Sequence, residues 1–172
     1  MTMIIGIVAV DQRGAIGKGG KLPWHYSADM RFFKETTTGH ACVMGHKTWL
    51  TLKTPLPDRL NVILSRQSAV EAHHPSRAAR LGTPAHESII VLKNLDSVLS
   101  LSRYLRSDLF VIGGEKIYRS FLPYIEKWIV TEVPLRVEGA DAFVPDNYLE
   151  GFGSSGSRQL EEDLVVKFYE RL

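Results

Sequence analysis

A chain of 172 residues is long enough to bury one substantial core and falls within the usual span of a single domain, residues 1–172. Hydrophobic residues make up 44% and charged residues 23%, proportions that exclude a disordered or fibrous chain. The 21 basic and 19 acidic residues leave a net charge of +2 with no basic segment to gather it, which suits a small anionic ligand and argues against nucleic acid as a partner.

Residues 3–10 form an apolar, β-branched run that predicts a buried strand. The run lacks the basic start and small-residue cleavage site of a leader, and no stretch approaches the roughly 20 apolar residues that span a bilayer. A cytoplasmic protein without a membrane partner is therefore expected. The strand runs into Gly14, Gly17, Gly19 and Gly20, then Leu22-Pro23-Trp24. Such glycine density permits a mobile loop whose backbone approaches a ligand closely, and equally a plain flexible surface loop.

A helix is predicted over 27–37, with Ser27 as its N-cap and Asp29 in its first turn, where an acid also suits the helix dipole. Asp29 and Phe33 stand four residues apart and share a face, so an acid and an aromatic ring can project into one pocket. A heteroaromatic ligand with an amidine-like edge would match both. Residues 41–44 predict the next strand, in which the single cysteine, Cys42, packs as a small hydrophobe and has no partner for an internal disulfide.

Helices over 47–52, 95–105 and 115–122 alternate with strands over 61–64, 89–92 and 109–112. Near-continuous apolar strands separated by helices predict an α/β fold with a mostly parallel sheet and right-handed crossovers. Residues 67–88 read as a long connection holding at most a short helix near 77–81, and Pro75 after His73-His74 favours a surface loop over a metal site. Toward the end, 128–132 and 164–171 predict closing strands separated by a loop-like 150–157, with no helix between them and hence an antiparallel edge.

Several chemistries lack their signatures. There is no G-x-x-x-x-G-K-[ST] loop, no G-x-G-x-x-G after a strand, no HExxH or CxxC spacing and no G-x-S-x-G elbow. No metal is expected.

The segments that remain carry a resemblance. Leu22-Pro23-Trp24 followed by Asp29 and Phe33-Lys34 resembles the substrate loop and first helix of the dihydrofolate reductases. Met44-Gly45-His46-Lys47-Thr48-Trp49 resembles the family's M-G-R-x-T-W, and Pro55-Leu56-Pro57-Asp58-Arg59-Leu60-Asn61-Val62 its P-L-P-x-R-x-N run. Val111-Ile112-Gly113-Gly114 with Ile117-Tyr118 resembles its glycine turn, and Gly139, Asp141, Phe143 and Pro145 its G-D-T-x-F-P. The resemblance spans nearly the whole chain. It implies the family's α/β fold, with a central, mostly parallel twisted sheet, an antiparallel C-terminal edge and flanking helices. It also implies a monomeric enzyme of one-carbon metabolism, of a kind that antifolate inhibitors target, that moves hydride from NADPH to C6 of dihydrofolate.

On the substrate side the resemblance makes Asp29 the only acid of the pterin pocket, bound to the 2-amino group and N3, with Thr131 beside it. Ile7, Met30, Phe33, Leu52, Leu56 and Ile112 line the ring, and Arg59, with Lys34 nearby, faces the glutamate tail, which a guanidinium fork fits bidentately. By residue type alone Thr131 reads as a strand threonine, Arg59 as a surface charge among turn residues, and Lys34 as a solvated helix lysine. Trp24, Leu22 and Tyr118 complete the catalytic set, Leu22 closing the glycine loop over the rings.

For NADPH the resemblance implies Ala9, Ile16, Gly17 and Tyr118 against the nicotinamide. Gly113, Gly114, Glu115, Lys116 and Ile117 form one helix start facing the pyrophosphate, and Gly45, Lys47 and Thr48 another, the threonine hydroxyl able to cap. Leu64, Ser65 and Arg66 with His46 stand at the 2′-phosphate. Two residues depart from the pattern. His46 replaces the usual arginine, which leaves the 2′-phosphate leaning on Arg66 and makes its binding pH-sensitive if His46 must be protonated. Glu115 replaces a common third glycine and repels a pyrophosphate unless it points to solvent or pairs with Lys116. The pyrimidine reductases of riboflavin synthesis share the NADPH half but need a different acid pocket. A non-catalytic nucleotide-binding relative would have lost the pocket acid or the glycine turn, and this chain has both.

Overall fold

A computed structural model describes residues 1–67 and 88–172. The short helix expected near 77–81 and the pair His73-His74 lie outside the described residues. In chain order the elements are β1 (Ile4–Val10), β2 (Ala15–Gly17), α1 (Ser27–Thr37), β3 (Ala41–Gly45), α2 (His46–Thr51), β4 (Leu60–Leu64) and β5 (Ser88–Leu92). There follow α3 (Leu95–Ser102), β6 (Leu109–Val111), α4 (Glu115–Phe121), a 3₁₀ turn (Leu122–Tyr124), β7 (Lys127–Glu132), β8 (Ala142–Phe143), β9 (Phe152–Glu161) and β10 (Leu164–Arg171).

Eight strands form one sheet in the order β5-β4-β3-β6-β1-β7-β10-β9. The pairs from β5 through β7 are parallel, whereas β10 runs antiparallel to β7 and to β9. The mostly parallel sheet with an antiparallel C-terminal edge is therefore as expected. One expectation fails: residues 150–157 are not a loop, because most of them belong to β9. This edge strand exposes every side chain from Ser154 to Gln159, so it shows no apolar alternation, and pairing with β10 holds it in place.

Side-chain alternation along β1 explains why its run is apolar throughout. Ile5 and Ile7 pack with Phe32 of α1 on one face. Ile4, Val8 and Val10 pack with Val98 of α3 and with Tyr118 and Phe121 of α4 on the other. Trp49 of α2 joins Met44 and Ile63 on the α1 side. Gly6 faces the α4 side, where a Cβ would stand 2.4 Å from the ring of Trp128, so only glycine lets that indole lie flat on β1.

Ser27 is the first residue of α1 and not its cap. The N-cap is Tyr26 in extended backbone, without a side-chain bond. By contrast α3 is capped by a side chain, Asn94 Oδ1 accepting from Ser97 N at 2.9 Å.

Strand length then positions a cleft. Pairing of β1 with β6 ends at Gly6 opposite Val111, while β1 stays paired with β7 as far as Val10 opposite Glu132. The two central strands part at their carboxyl ends, the place where open α/β sheets bind ligands.

Candidate active site

Ala9, Thr131 and Val166 stand in one row across β1, β7 and β10. Asp29, in the first turn of α1, reaches the middle of this row, and Thr131 Oγ1 donates to Asp29 Oδ1 at 2.7 Å. Thr131 is 3% exposed, which moves it from an ordinary strand threonine to a buried polar partner. Burial pushes the Asp29 carboxyl above its ordinary value and the Thr131 bond pulls it back, burial being the stronger. Asp29 is the acid that α1 sets against this row.

The neighbouring strands and loops carry apolar clusters on this side of the molecule. Ile7 is buried with Phe32 and Ile129, and Phe33 packs partly against the same cluster. Leu56 and Ile112 bridge that cluster to the one around Trp49, where Leu52 also packs. Trp24 is buried against Val133 and Leu164, with Ala9 beside it. Its indole Nε1 has no hydrogen-bond partner among the described residues. Leu22 and Met30 are 52% and 54% exposed, so neither is packed into place.

Arg59 departs from a surface charge: it is 5% exposed. Its Nε donates to Pro57 O at 2.9 Å and its Nη1 to Thr37 Oγ1 at 3.0 Å, with the guanidinium 5.9 Å from the centre of the Phe33 ring. Asn61 in β4 closes the turn that carries it, accepting from Leu56 N and donating to Leu56 O and Arg59 O. Cys42 lies against Thr37, and burial pushes its thiol up to about 12, so it is neutral beside the guanidinium. Lys34 is exposed in the last turn of α1.

Two helix starts converge on the other side of the cleft. Gly45 N donates to Gly113 O at 2.9 Å, a Cβ on Gly45 would stand 3.1 Å from Ile117, and one on Gly114 would stand 3.7 Å from Thr48 Oγ1. Gly113 has φ +111 and lies under Tyr118, so a side chain there would meet both strain and the ring. Neither α2 nor α4 has a side-chain cap from its N-cap residue, and among the described residues no side chain accepts from the N–H groups of their first turns. The Thr48 hydroxyl therefore does not cap α2. Tyr118 Oη donates to Ile7 O at 2.8 Å, tying α4 to β1, and burial raises its phenol far above the ordinary range.

Gly45 of β3 pairs with Leu64 of β4, so His46 with Lys47 and Ser65 with Arg66 leave the sheet side by side. Glu115 pairs with Arg119 at 3.3 Å and not with Lys116, an exposed contact one helical turn away. Ile16 and Gly17 lie in β2, which pairs with β8, and Asp141 Oδ2 accepts from Gly19 N at 2.9 Å.

Three anchoring residues escaped sequence reasoning. Thr37 and Asn61 fix Arg59, and Asp11 fixes the glycine loop: its carboxylate accepts from Arg13 N, Ala15 N and Val137 N. Burial alone would raise the Asp11 carboxyl, but these three donors and Arg13 outweigh it and hold the group below its ordinary value. An acid between a strand and a glycine turn is the signal that marks it. Among the described residues no group of three or more His, Cys, Asp or Glu is placed to hold a metal, and no helix is long and apolar enough to cross a membrane.

A family model described as dihydrofolate reductase matches residues 3–169. The dihydrofolate reductase of Staphylococcus haemolyticus is 31% identical over 172 residues, covering 96% of this chain and 94% of that one. That of Mycobacterium tuberculosis (strain ATCC 25618 / H37Rv) is 37% identical over 151 residues, 84% of this chain and 81% of that one. Among solved structures, a dihydrofolate reductase from Enterococcus faecalis complexed with NADP(H) and RAB-propyl aligns with a TM-score of 0.81 at 25% identity, covering 98% of this chain and 96% of that one. With the match running over residues 3–169 and the relatives and solved structure covering nearly the whole chain, the chain belongs to the dihydrofolate reductase family, enzymes that reduce dihydrofolate to tetrahydrofolate with NADPH.

Proposed function

We propose that Asp29, held by Thr131, is the acid that binds the pterin in this chain's reduction of 7,8-dihydrofolate to 5,6,7,8-tetrahydrofolate. The observation that carries the reading is the 2.7 Å Thr131–Asp29 bond, made where α1 packs its Phe32 against Ile5, Ile7 and Ile129 of the sheet. A carboxylate there meets the 2-amino group and N3 of the ring as paired donors, and so favours the electron distribution that makes N5 basic. The proton reaches N5 through water. Trp24 and Tyr118 border the reacting rings, and Ile7, Met30, Phe33, Leu52, Leu56 and Ile112 exclude bulk water from them.

Arg59 takes the substrate's glutamate tail, with Lys34 adding charge nearby. Because Arg59 is buried yet has donors to spare, a carboxylate arriving there forms a charge-assisted pair with little competition from water.

NADPH supplies the hydride delivered to C6. The residues suit it on three counts: uncapped helix starts at α2 and α4, glycine backbone between them, and basic residues beside the end of β4. Gly45, Lys47, Thr48, Gly113, Gly114, Lys116 and Ile117 hold the pyrophosphate, and His46, Leu64, Ser65 and Arg66 the 2′-phosphate end. Ala9, Ile16, Gly17 and Tyr118 orient the nicotinamide. Glu115, neutralised in part by Arg119, is turned from the pyrophosphate, and Leu22 closes the loop.

The reading extends to residues 1–172 as one domain, to a monomer in the cytoplasm that serves one-carbon metabolism and thymidylate synthesis, and to antifolates as ligands of the same pocket. The test is loss of NADPH absorbance with dihydrofolate, run beside NADH and beside Asp29→Asn. NADPH-dependent turnover that the variant loses supports the assignment. Near-normal turnover of Asp29→Asn at neutral pH ends it.

A further inference from the structure

We infer that Thr37 is a positioning residue for the substrate's carboxylate, acting by setting the direction in which Arg59 presents its guanidinium. The inference rests on the reading that Arg59 meets the glutamate tail.

The turn before β4 fixes where the Arg59 side chain begins. Asp58 adopts φ +57, and the Asn61 side chain bonds across the turn to both ends of Leu56 and to Arg59 O. That leaves a long side chain with several rotatable bonds, which would scatter over many orientations unless its head were also held. Two bonds hold it, from Nε to Pro57 O and from Nη1 to Thr37 Oγ1. The first is local to the turn. The second crosses 22 residues to the last turn of α1.

Thr37 is built to accept at that point. Its own hydroxyl proton goes to Phe33 O at 2.8 Å, so the oxygen lone pairs face Arg59. The residue is wholly buried and Arg59 nearly so, which prevents water from substituting for the hydroxyl. Of the five guanidinium N–H donors, these two bonds occupy one on Nε and one on Nη1, and three remain for a ligand.

The same contact links the two ends of the ligand site. Asp29, Phe33 and Thr37 follow one another at four-residue intervals on α1, so the acid and the arginine's anchor are separated by about 12 Å of rigid helix at 1.5 Å per residue. A rigid spacing between a ring acceptor and a carboxylate donor is what a ligand with a polar ring at one end and a carboxylate at the other needs. Arg59 anchored only to its own turn would lose that reference.

The test compares two substrates, dihydrofolate and the tail-less 6-methyl-7,8-dihydropterin, with wild type, Thr37→Val, Thr37→Ser and Arg59→Lys. Thr37→Val is expected to raise KM for dihydrofolate roughly tenfold, the loss of one hydrogen bond, with kcat within about twofold and KM for the tail-less pterin unchanged. Thr37→Ser, which keeps the acceptor, is expected to restore KM. If the valine variant does not fold, Thr37→Ala gives the same comparison. An equal rise in KM for both substrates, or no rise for dihydrofolate while Arg59→Lys raises it, overturns the inference and leaves the Arg59 reading standing. No rise in either variant removes the carboxylate reading of Arg59 itself.

Discussion

Thr131→Val removes a hydroxyl while nearly keeping the side chain's shape, and so tests the 2.7 Å bond to Asp29 directly. A hydrogen bond to a charged group contributes about 1.5–3 kcal/mol. Thr131 is buried and no water takes its place, whereas Asp29 is only part-buried and regains some hydration, so the lower half, about 1.5–2 kcal/mol, applies. At 2–4 °C per kcal/mol for a chain of this size, Tm should fall by about 3–8 °C. The sign with pH follows from the direction of the effect. The Thr131 bond lowers the carboxyl, so its stabilisation exists while Asp29 is ionised and fades as pH falls through the raised Asp29 range toward the ordinary 3.8. Melting followed by far-UV circular dichroism near pH 8 and again near pH 4, with Thr131→Ser as the control that keeps the hydroxyl, measures both. An equal loss at the two pH values, or none near pH 8, would refute the reasoning.

Because burial raises the Asp29 carboxyl overall, its favourable contribution to stability is present below 3.8 and lost as pH rises through the folded value. Asp29→Asn should therefore melt above wild type at pH 7, with the gain vanishing toward pH 3, while turnover drops about 100-fold or more, the scale of one lost electrostatic contact at the reacting ring; melting curves across pH beside an NADPH-oxidation assay decide. Tyr118→Phe leaves the buried Ile7 carbonyl without its 2.8 Å donor, and about 1–3 kcal/mol should disappear from urea unfolding with an unchanged slope. Gly6→Ala would set a methyl 2.4 Å from the Trp128 ring, and the forced shift should cost about 1–3 kcal/mol by the same measurement; an unaltered midpoint would mean that the indole moves freely.

Local patterning made much of this protein legible. The main-sheet strands β1, β3, β4, β6 and β7 send side chains into clusters on both faces and so are written as apolar runs, and the helices between them show the matching alternation of element type. Helical period placed Asp29 and Phe33 on one face before any contact was known, and motif order along the chain carried the family resemblance. These are properties of near neighbours in sequence, which residue type and spacing express directly. The glycine-rich edge strand β9 was illegible because it is held by backbone bonds to β10 and buries almost no side chain. Burial and partner choice came only with the tertiary structure. Arg59, set among turn residues, is buried because α1 brings Thr37 to it. Glu115 turns to Arg119 and not to Lys116, since only the former lies on its helical face. The direction in which the Asp29 carboxyl shifts depended on how far α1 sinks against β7, a balance of desolvation against one bond from a residue 102 positions away. Sequence alone determined which elements form and which residue types line the cleft; the long-range packing of those elements decided which charges are buried, and against what.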